Sequence, residues 1–261
     1  MAFFNTGING KYIHLLLVCS FAFNPVFSQK NKSGNISYYV FDAAWKPCKA
    51  EEAVYFASCE KLNDTAWQWK NYHFAGPLLS VETYKDEEAS IPHGYFAWFD
   101  NNGIIDSSGE TFEGKKHGSW LYFTDTLSVW QTEKYERGVL IERKDSIALR
   151  RERGEIESLQ SYPDEKEAAF RGGNKGWLKY LQTNLKYPER AVNMGKTGKV
   201  LIYFIVDSNG NITDIKLHKS VEYSLDEEAL RLIRQSPKWE PAFQNGKNVK
   251  AYRRQPVTFS F

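Results

Sequence analysis

Apolar and polar residues alternate in two different ways along this chain, and the change comes near residue 140. Between residues 36 and 140, short aromatic-rich runs are separated by turns that contain Gly or Asn. Such a pattern is typical of β-hairpins that follow one another in a meander. After residue 165, apolar residues recur at helical spacing as well as in strand-like runs. The pattern predicts a β-rich domain at 36–140, a charged linker at 141–165 and an α+β domain at 166–261.

The β-rich domain contains a degenerate repeat. His93-Gly94 and His117-Gly118, 24 positions apart, each precede an aromatic run. A single unit cannot bury its aromatic face alone, so we expect stacked units to form a shared core. The segment Gly114–Trp120, with the sequence Gly-Lys-Lys-His-Gly-Ser-Trp, resembles the MORN-type repeat proteins. We interpret the aromatic residues as packed core, and a face that binds glycan or peptide is the alternative.

Three helices are predicted in the C-terminal domain. The first has one apolar stripe, formed by Trp177, Leu178, Leu181 and Leu185. Pro188 suits the first position of a second, short helix, and Gly195 suits its C-terminal stop. Ser224 and Glu227 have the spacing of a capping box, so the third helix is expected to begin at Ser224 and to end at Pro237.

Three strands accompany these helices. Lys199–Val206 carries apolar residues on both faces, which predicts a strand covered on both sides. Asn209-Gly210 is a hairpin turn signal that leads into a second strand at Ile212–His218. A closing strand is expected over Val249–Phe261. Pro256 interrupts it, and because proline cannot donate to a sheet ladder, the sequence predicts that this strand lies at an edge.

An ordered set of short motifs then suggests a family. The motifs are Tyr187-Pro188, Gly198–Val200, Asp207–Gly210, Trp239–Ala242, Asn245–Lys247 and Phe259–Phe261. Over roughly residues 165–261 this set resembles the C-terminal domain of the TonB family. The resemblance implies helices packed on a small, mostly antiparallel sheet. It also implies that a short peptide, the TonB box of an outer-membrane TonB-dependent transporter, binds as an added strand beside the closing strand, in an energy transducer for transmembrane transport.

The resemblance also implies candidate peptide-binding residues on the closing strand and before the second helix. They are Leu185, Tyr187, Pro188, Val249, Lys250, Ala251, Tyr252, Arg253, Arg254 and Val257. Lys250, Arg253 and Arg254 would attract acidic residues near the incoming box, and solvated edge charges are the alternative. Main-chain bonds would hold the peptide, so we expect proline at position 251 or 253 to abolish binding while the fold survives.

A second functional class is an envelope scaffold. In that hypothesis the TonB-like domain forms a homodimer through the strands that would otherwise take the peptide, and the aromatic repeats bind glycan or protein. The oligomeric state separates this hypothesis from peptide binding.

The first 28 residues have the pattern of a secretory signal peptide. Lys11 precedes an apolar stretch at Tyr12–Phe23, and Val26–Ser28 offers a cleavage site before Gln29. The stretch is short of the roughly 20 residues that span a bilayer. We therefore predict a secreted protein with a cleaved signal, and the resemblance to the TonB family implies the periplasm of a Gram-negative bacterium. The alternative is an uncleaved inner-membrane anchor, which would bring the inner-membrane motor proteins among its partners.

Composition narrows the remaining chemistry. The net charge is +2 and basic residues are interleaved with acidic ones, so we expect no nucleic-acid partner. Cys48 and Cys59 remain after signal cleavage, and we predict a disulfide between them, with two unpaired thiols as the alternative. The chain shows no catalytic motif, metal-ligand spacing or phosphate-binding loop. We predict that it is not an enzyme and uses no metal or cofactor.

Overall fold

The computed structural model describes residues 29–30, 35–152 and 165–261. The signal peptide predicted at residues 1–28 lies outside these residues, as does most of the second half of the predicted linker. In the part of the chain that is described, no helix is long and apolar enough to cross a membrane.

The N-terminal part is an antiparallel meander in which ten described strands pair in chain order. The strands are β1 (Gln29–Lys30), β2 (Ile36–Phe41), β3 (Tyr55–Asn63), β4 (Ala66–His73), β5 (Leu78–Tyr84), β6 (Pro92–Phe99), β7 (Ile105–Phe112), β8 (Lys115–Phe123), β9 (Val129–Glu136) and β10 (Val139–Asp145). A short 3-10 turn at Ala50–Glu52 precedes β3, and helix α1 (Ser146–Glu152) follows β10. The expected β-rich meander is therefore a single large antiparallel sheet.

Residues 141–152, which the sequence pattern places in the linker, form the end of β10 and helix α1. Arg143 ties β10 to the sheet, because its Nη2 lies 2.6 Å from Oε1 of the buried Glu133. The hydroxyls of Tyr122 and Tyr135 donate to the same carboxylate at 2.6 and 2.8 Å. Desolvation acts to raise the pKa of Glu133, but the hydrogen bonds from Tyr122, Tyr135 and Arg143 outweigh it and the pKa is lowered. An ion pair between the exposed Arg143 and the buried Glu133 thus holds a strand whose charged composition indicates a linker.

The sheet repeats locally with the spacing of the two His-Gly pairs. Nδ1 of His93 accepts a hydrogen bond from the backbone N–H of Glu113 at 3.5 Å, and Nδ1 of His117 accepts one from Arg137 at 3.4 Å. Glu113 and Arg137 have φ of 51° and 46°, each just before a glycine of positive φ, as two-residue hairpin turns require. Each histidine therefore supports the turn of a neighbouring hairpin. The structural repetition is present, and the likeness to MORN-type units stays a prediction.

Strand alternation gives this sheet two apolar faces. On one face, aromatic rings pack against one another. The buried residues of this face are Phe41, Ala57, Cys59, Trp69, Tyr84, Phe96 and Trp120. Trp120 lies flat on Gly109, where an added Cβ would come within 2.3 Å of the indole ring. The opposite face, with Phe56 and Tyr72, belongs to a core that also includes residues of the C-terminal part.

The C-terminal part has a three-stranded antiparallel sheet with helices packed on one face, in agreement with the expected fold class. Its elements are α2 (Gly173–Asn184), α3 (Glu189–Asn193), β11 (Gly198–Val206), β12 (Ile212–Lys219), α4 (Tyr223–Arg234), β13 (Ala242–Gln244), β14 (Lys247–Val249) and β15 (Ala251–Phe259). The strand order is β12-β11-β15, and β13 and β14 form a separate hairpin. Val200, Ile202 and Phe204 of β11 are fully buried, and Tyr203 on the other face stacks on His218 at 4.5 Å. The prediction that this strand is covered on both sides is confirmed.

The end of α3 and the beginning of α4 test the predictions made from Gly195 and Ser224. Gly195 has φ of 59° just after α3, so its role as a helix stop is confirmed. The predicted capping box is wrong, because α4 is capped by Glu222, whose carboxylate accepts a hydrogen bond from the N–H of Ser224 at 2.9 Å. Ser224 therefore lies within the first turn of the helix. Glu222 takes the cap because its other carboxylate oxygen is paired with Arg190.

The two parts of the chain share one hydrophobic core and are also joined by backbone contacts. Ser220, after β12, donates its N–H to the carbonyl of Gly103 at 2.8 Å, and its Oγ accepts from the N–H of Leu78 at 2.8 Å. Ile104 and Lys219 form an antiparallel β-bridge beside this contact. A Cβ at Gly103 would lie 2.5 Å from the carbonyl oxygen of Ser220, so only glycine permits this approach. The C-terminal part is thus docked on one face of the large sheet.

Arg190 of α3 links a buried acid of the C-terminal part to the large sheet. Its Nε lies 2.6 Å from Oε1 of Glu222, and its Nη2 donates to the carbonyl of Phe74 at 2.5 Å. The guanidinium also lies 5.0 Å from the ring centroid of Phe56 and 5.3 Å from that of Phe74. Glu222 is 0% exposed, so the arginine neutralises a carboxylate that has no access to water.

We expect Arg190→Ala to lower the free energy of unfolding by about 3–5 kcal/mol, because it leaves the buried Glu222 carboxylate unpaired. Urea unfolding of the full chain measures this. The control is Arg234→Ala, which removes a half-exposed arginine 3.9 Å from Glu227 and should cost at most about 1 kcal/mol. Equal effects of the two substitutions would contradict the proposed role of Arg190.

Asp226 is a second buried acid at the interface. It is 0% exposed, its Oδ1 accepts from the N–H of Val221 at 3.0 Å, and its Oδ2 lies 2.5 Å from Oγ of Ser220. Desolvation raises the pKa of this carboxyl to about 8, although the hydrogen bonds from Ser220 and Val221 act to lower it. The protonated form therefore suits the folded state.

A carboxyl whose folded pKa is raised stabilises the fold fully below its unfolded pKa, about 4. That contribution is lost as the pH rises through the folded value of about 8. We expect Asp226→Asn to gain stability over the wild type progressively from about pH 4 to about pH 8, by a few kcal/mol. Urea unfolding at several pH values measures the difference, in which titrations common to both proteins cancel. A difference that is independent of pH would contradict this account.

Candidate functional site

The closing strand β15 forms the outer edge of the three-stranded sheet. It pairs with β11 from Ala251 to Phe259 without a register shift, and no described strand pairs with its other side. The opposite outer strand, β12, is bridged at its end to Ile104 of the large sheet. The edge position that Pro256 predicts for the closing strand is therefore confirmed.

Pro256 also shows which backbone groups of β15 face outward. In an antiparallel pair, residues alternate between those whose N–H and C=O face the partner and those whose groups face away. A proline without N–H is tolerated inside a paired strand where its nitrogen faces away from the partner. Tyr252, Arg254 and Thr258 are in phase with Pro256, so their N–H and C=O groups point to the open edge.

The alternation of inward and outward backbone groups along β15 does not fit the expectation that proline at position 251 or 253 leaves the fold intact. Ala251 and Arg253 are out of phase with Pro256, so their N–H groups serve the ladder to β11 and a proline there would damage the fold. Val257 shares that phase, and its side chain is 0% exposed. Its side chain therefore packs into the core in the structure, and its inclusion among the candidate binding residues stays a prediction.

A groove of about 490 Å³ opens beside the beginning of β15. It is lined by Glu165, Lys166, Glu167, Ala168, Ala242, Phe243, Gln244, Val249, Lys250, Ala251, Tyr252, Arg253 and Arg254. One wall is stiff, because Lys166 and Phe243 exchange two backbone hydrogen bonds at 2.9 and 3.0 Å. Six of the predicted residues, from Val249 to Arg254, therefore come together around one groove.

Arg253 lies on the face of β15 that points toward the helices. Its Nη1 lies 3.1 Å from Oε2 of Glu167, whose side chain is 90% exposed. Its Nε is buried and has no hydrogen-bond partner among the described residues. The groove therefore contains a guanidinium that is only partly satisfied.

Tyr252 and Arg254 lie on the opposite face of β15, toward the large sheet. Tyr252 is 65% exposed and its ring stacks on Tyr203 at 5.4 Å, which in turn stacks on His218. Arg254 donates from Nη1 to the carbonyl of Leu127 in the β8–β9 turn at 3.2 Å. Desolvation, followed by the charges of Arg254 and Lys216, lowers the pKa of His218 to about 3, so this ring stack is uncharged at neutral pH.

The predicted residues before α3 lie at the other end of β15. The Tyr187 ring packs edge-on against Phe259 at 5.7 Å and stacks on the exposed Phe261 at 4.9 Å. Its hydroxyl donates to the carbonyl of Lys196 at 2.5 Å, which fixes the ring. Leu185 and Pro188 are half-buried at the two ends of this connection. The candidate residues thus form two groups along one edge rather than a single pocket.

The groove wall at residues 165–168 was missed by sequence reasoning. Glu167 sits in a short charged stretch that had been assigned to the linker and the start of the domain. Its position depends on the pairing of this stretch with β13, which has no local signature in the sequence. No cluster of three or more His, Cys, Asp or Glu side chains that could hold a metal occurs among the described residues.

Comparisons with known proteins identify the C-terminal part. Residues 183–261 match the family model described as the Gram-negative bacterial TonB protein C-terminal. Residues 183–261 are therefore similar to the C-terminal domain of TonB. This match covers less than a third of the chain, and the family is a transport-related, non-enzymatic one.

A solved structure is similar to part of this chain. The chain is similar to the solution structure of the Helicobacter pylori TonB C-terminal domain, with 26% identity over 32% of this chain and 76% of that one. The TM-score of this comparison is 0.26. No curated protein matches the chain.

The predicted disulfide is wrong, because Cys48 and Cys59 are free thiols. Cys59 is paired with Ser37 across β2 and β3, whereas the N–H of Cys48 bonds to the carbonyl of Val40 at 3.3 Å. Ser37 and Val40 are three residues apart in β2, about 10 Å at 3.3 Å per residue. A disulfide needs Cα atoms within about 7 Å, so register keeps the two thiols apart.

We expect the two thiols to differ in reactivity toward iodoacetamide. Burial raises the pKa of both, but Cys59 is 0% exposed whereas Cys48 is half-buried. Cys48 should be alkylated slowly in the native protein, and Cys59 only after unfolding. Mass spectrometry without reductant measures this. A protein that resists double alkylation when unfolded would restore the disulfide.

Proposed function

We propose that this protein binds an extended peptide by β-strand addition to the open edge of β15. The observation that carries the proposal is the open edge itself, with the N–H and C=O groups of Tyr252, Arg254 and Thr258 directed away from β11. Main-chain hydrogen bonds to these groups supply affinity, and side chains on alternate sides supply selectivity. Residues beside the edge, including Tyr187 and the groove at Arg253, contact the side chains of the added strand.

The partner we propose is the TonB box of an outer-membrane TonB-dependent transporter, and the process is transmembrane transport. The family match of residues 183–261 supports this choice of partner. The protein acts in the periplasm of a Gram-negative bacterium. Energy transduction would further require a link to inner-membrane motor proteins, which is the role we assign to an uncleaved N-terminal segment if one is retained.

The test uses the full chain and a fluorescein-labelled TonB-box peptide, with fluorescence anisotropy as the measurement. We expect Tyr252→Pro to weaken binding at least about tenfold, because it removes an outward N–H that pairs with the peptide. Its urea unfolding should change little, since that N–H makes no bond within the sheet. Tyr252→Ala is the matched control, which loses the ring and keeps the N–H.

Two further measurements make this test specific. Arg253→Pro should instead lower the free energy of unfolding by about 1–3 kcal/mol, because it removes a donor to β11. A peptide N-methylated at alternate residues should not bind, since it cannot form the ladder. Equal binding by Tyr252→Pro and Tyr252→Ala, or tight binding of the N-methylated peptide, would refute strand addition at β15.

The second candidate function is an envelope scaffold that self-associates. One observation favours it: Val139, Leu140 and Ile141 of the outer strand β10 are 64%, 41% and 56% exposed. Consecutive exposed apolar residues on an edge strand invite pairing with another strand. Light scattering decides, since a dimer that box peptides do not dissociate would favour the scaffold. Glycan binding by the aromatic face has less support, because Phe96 and Trp120 at its centre are only 1% and 2% exposed.

A further inference from the structure

We propose that the groove at the start of β15 is a pocket for an acidic side chain of the added strand, and that Arg253 recognises its carboxylate. This inference rests on the proposed function, because the side chain enters the groove only from a strand paired with β15. It goes beyond that function by naming the residue class that the site selects and the position at which it selects it.

Strand geometry directs one partner residue into the groove. Residues directly opposite each other in paired strands share a face of the sheet, in either strand direction. The partner residue opposite Arg253 therefore points toward the helices, where the groove lies. The N–H of Arg253 faces β11, so Arg253 makes no backbone hydrogen bond with the added strand. If the two strands are antiparallel, Arg253 and the partner residue opposite it therefore form a non-hydrogen-bonded pair. Side chains at such positions approach most closely, with Cα atoms about 4.5 Å apart.

The guanidinium of Arg253 has one donor without a partner among the described residues. Its Nε is buried without an acceptor, while Nη1 makes its contact with Glu167 at 3.1 Å. A buried donor without a partner is costly, and arginine favours carboxylates that accept two parallel hydrogen bonds. A carboxylate from the added strand that accepts from Nε would remove this cost. A neutral amide offers a single acceptor oxygen and turns its own N–H groups toward the cation.

Glu167 shows that a carboxylate can reach this guanidinium from the groove. Its side chain is 90% exposed, so its bond to Arg253 is a solvated one that a better-placed carboxylate can replace. The neighbouring acid Glu165 is engaged by Nε2 of Gln244 at 2.9 Å. Lys166 and Lys250 also line the groove and add positive potential. Glu167 is therefore an internal competitor for the same donor.

The experiment measures the affinity of the full chain for two labelled peptides of about ten residues, built from alternating Thr and Val. They are identical except that one carries Glu and the other Gln, scanned through successive positions. We expect wild-type protein to prefer Glu over Gln by about tenfold at one position of the scan. Arg253→Gln should remove that preference. Glu167→Gln should strengthen binding of the Glu peptide by about two- to threefold and leave the Gln peptide unchanged.

Arg254→Gln is the matched control: it removes the same charge one residue away, from a residue that also lines the groove but whose guanidinium bonds to the carbonyl of Leu127. It should lower affinity for both peptides alike, or for neither, and keep the preference for Glu. If the wild type binds Glu and Gln peptides equally at every position, the pocket is refuted while strand addition stands. If Arg253→Gln and Arg254→Gln reduce the preference equally, the effect is general charge and the assignment to Arg253 is wrong. If the scanned peptides do not bind but the TonB-box peptide does, the pocket alone is refuted; if neither binds, both proposals fall.

Discussion

The docking of the three-stranded sheet on one face of the large sheet is the constraint on which the rest of this structure depends. A single hydrophobic core extends across the junction, so neither part can bury its apolar face without the other. The contact at Gly103 and Ser220 brings the end of β12 against the large sheet. One edge of the small sheet is thereby closed at its end, and β15 is left as the edge open to a partner. The location of the candidate site thus follows from the way the two parts are joined.

Local signals in the sequence identified the elements whose causes are local. Pro256 indicated an edge strand, Asn209-Gly210 indicated the hairpin, and Gly195 indicated the end of α3. Each depends on the backbone chemistry of one or two residues, which tertiary context rarely overrides. The same kind of reasoning failed for α4, where Glu222 replaces Ser224 as the cap. The reason is not local, because Glu222 is held there by Arg190, a residue of another helix 32 positions away.

The interface itself had no signature in the sequence. Nζ of Lys70 lies 2.5 Å from Oε1 of Glu227, although the two residues are 157 positions apart in the chain. Pairs at such separation depend on the packing of whole elements, and a single sequence does not reveal them. The charged stretch after residue 140 illustrates the same limit. The sequence alone suggests that Arg143 is a solvated charge, whereas in the structure it forms an ion pair with the buried Glu133.

The strand phase separates two arginines that look equivalent in the sequence. Arg253 points toward the helices, where it faces the groove, and Arg254 points toward the large sheet, where it bonds to Leu127. The docked sheet thereby immobilises the side chains on one face of the edge, since Tyr252 is also held in a stack that ends on an uncharged His218. Side chains that are already ordered lose less conformational entropy when a partner binds. In the binding mode we propose, the large sheet would preorganise one face of the β15 edge, and the groove on the other face would supply the selectivity.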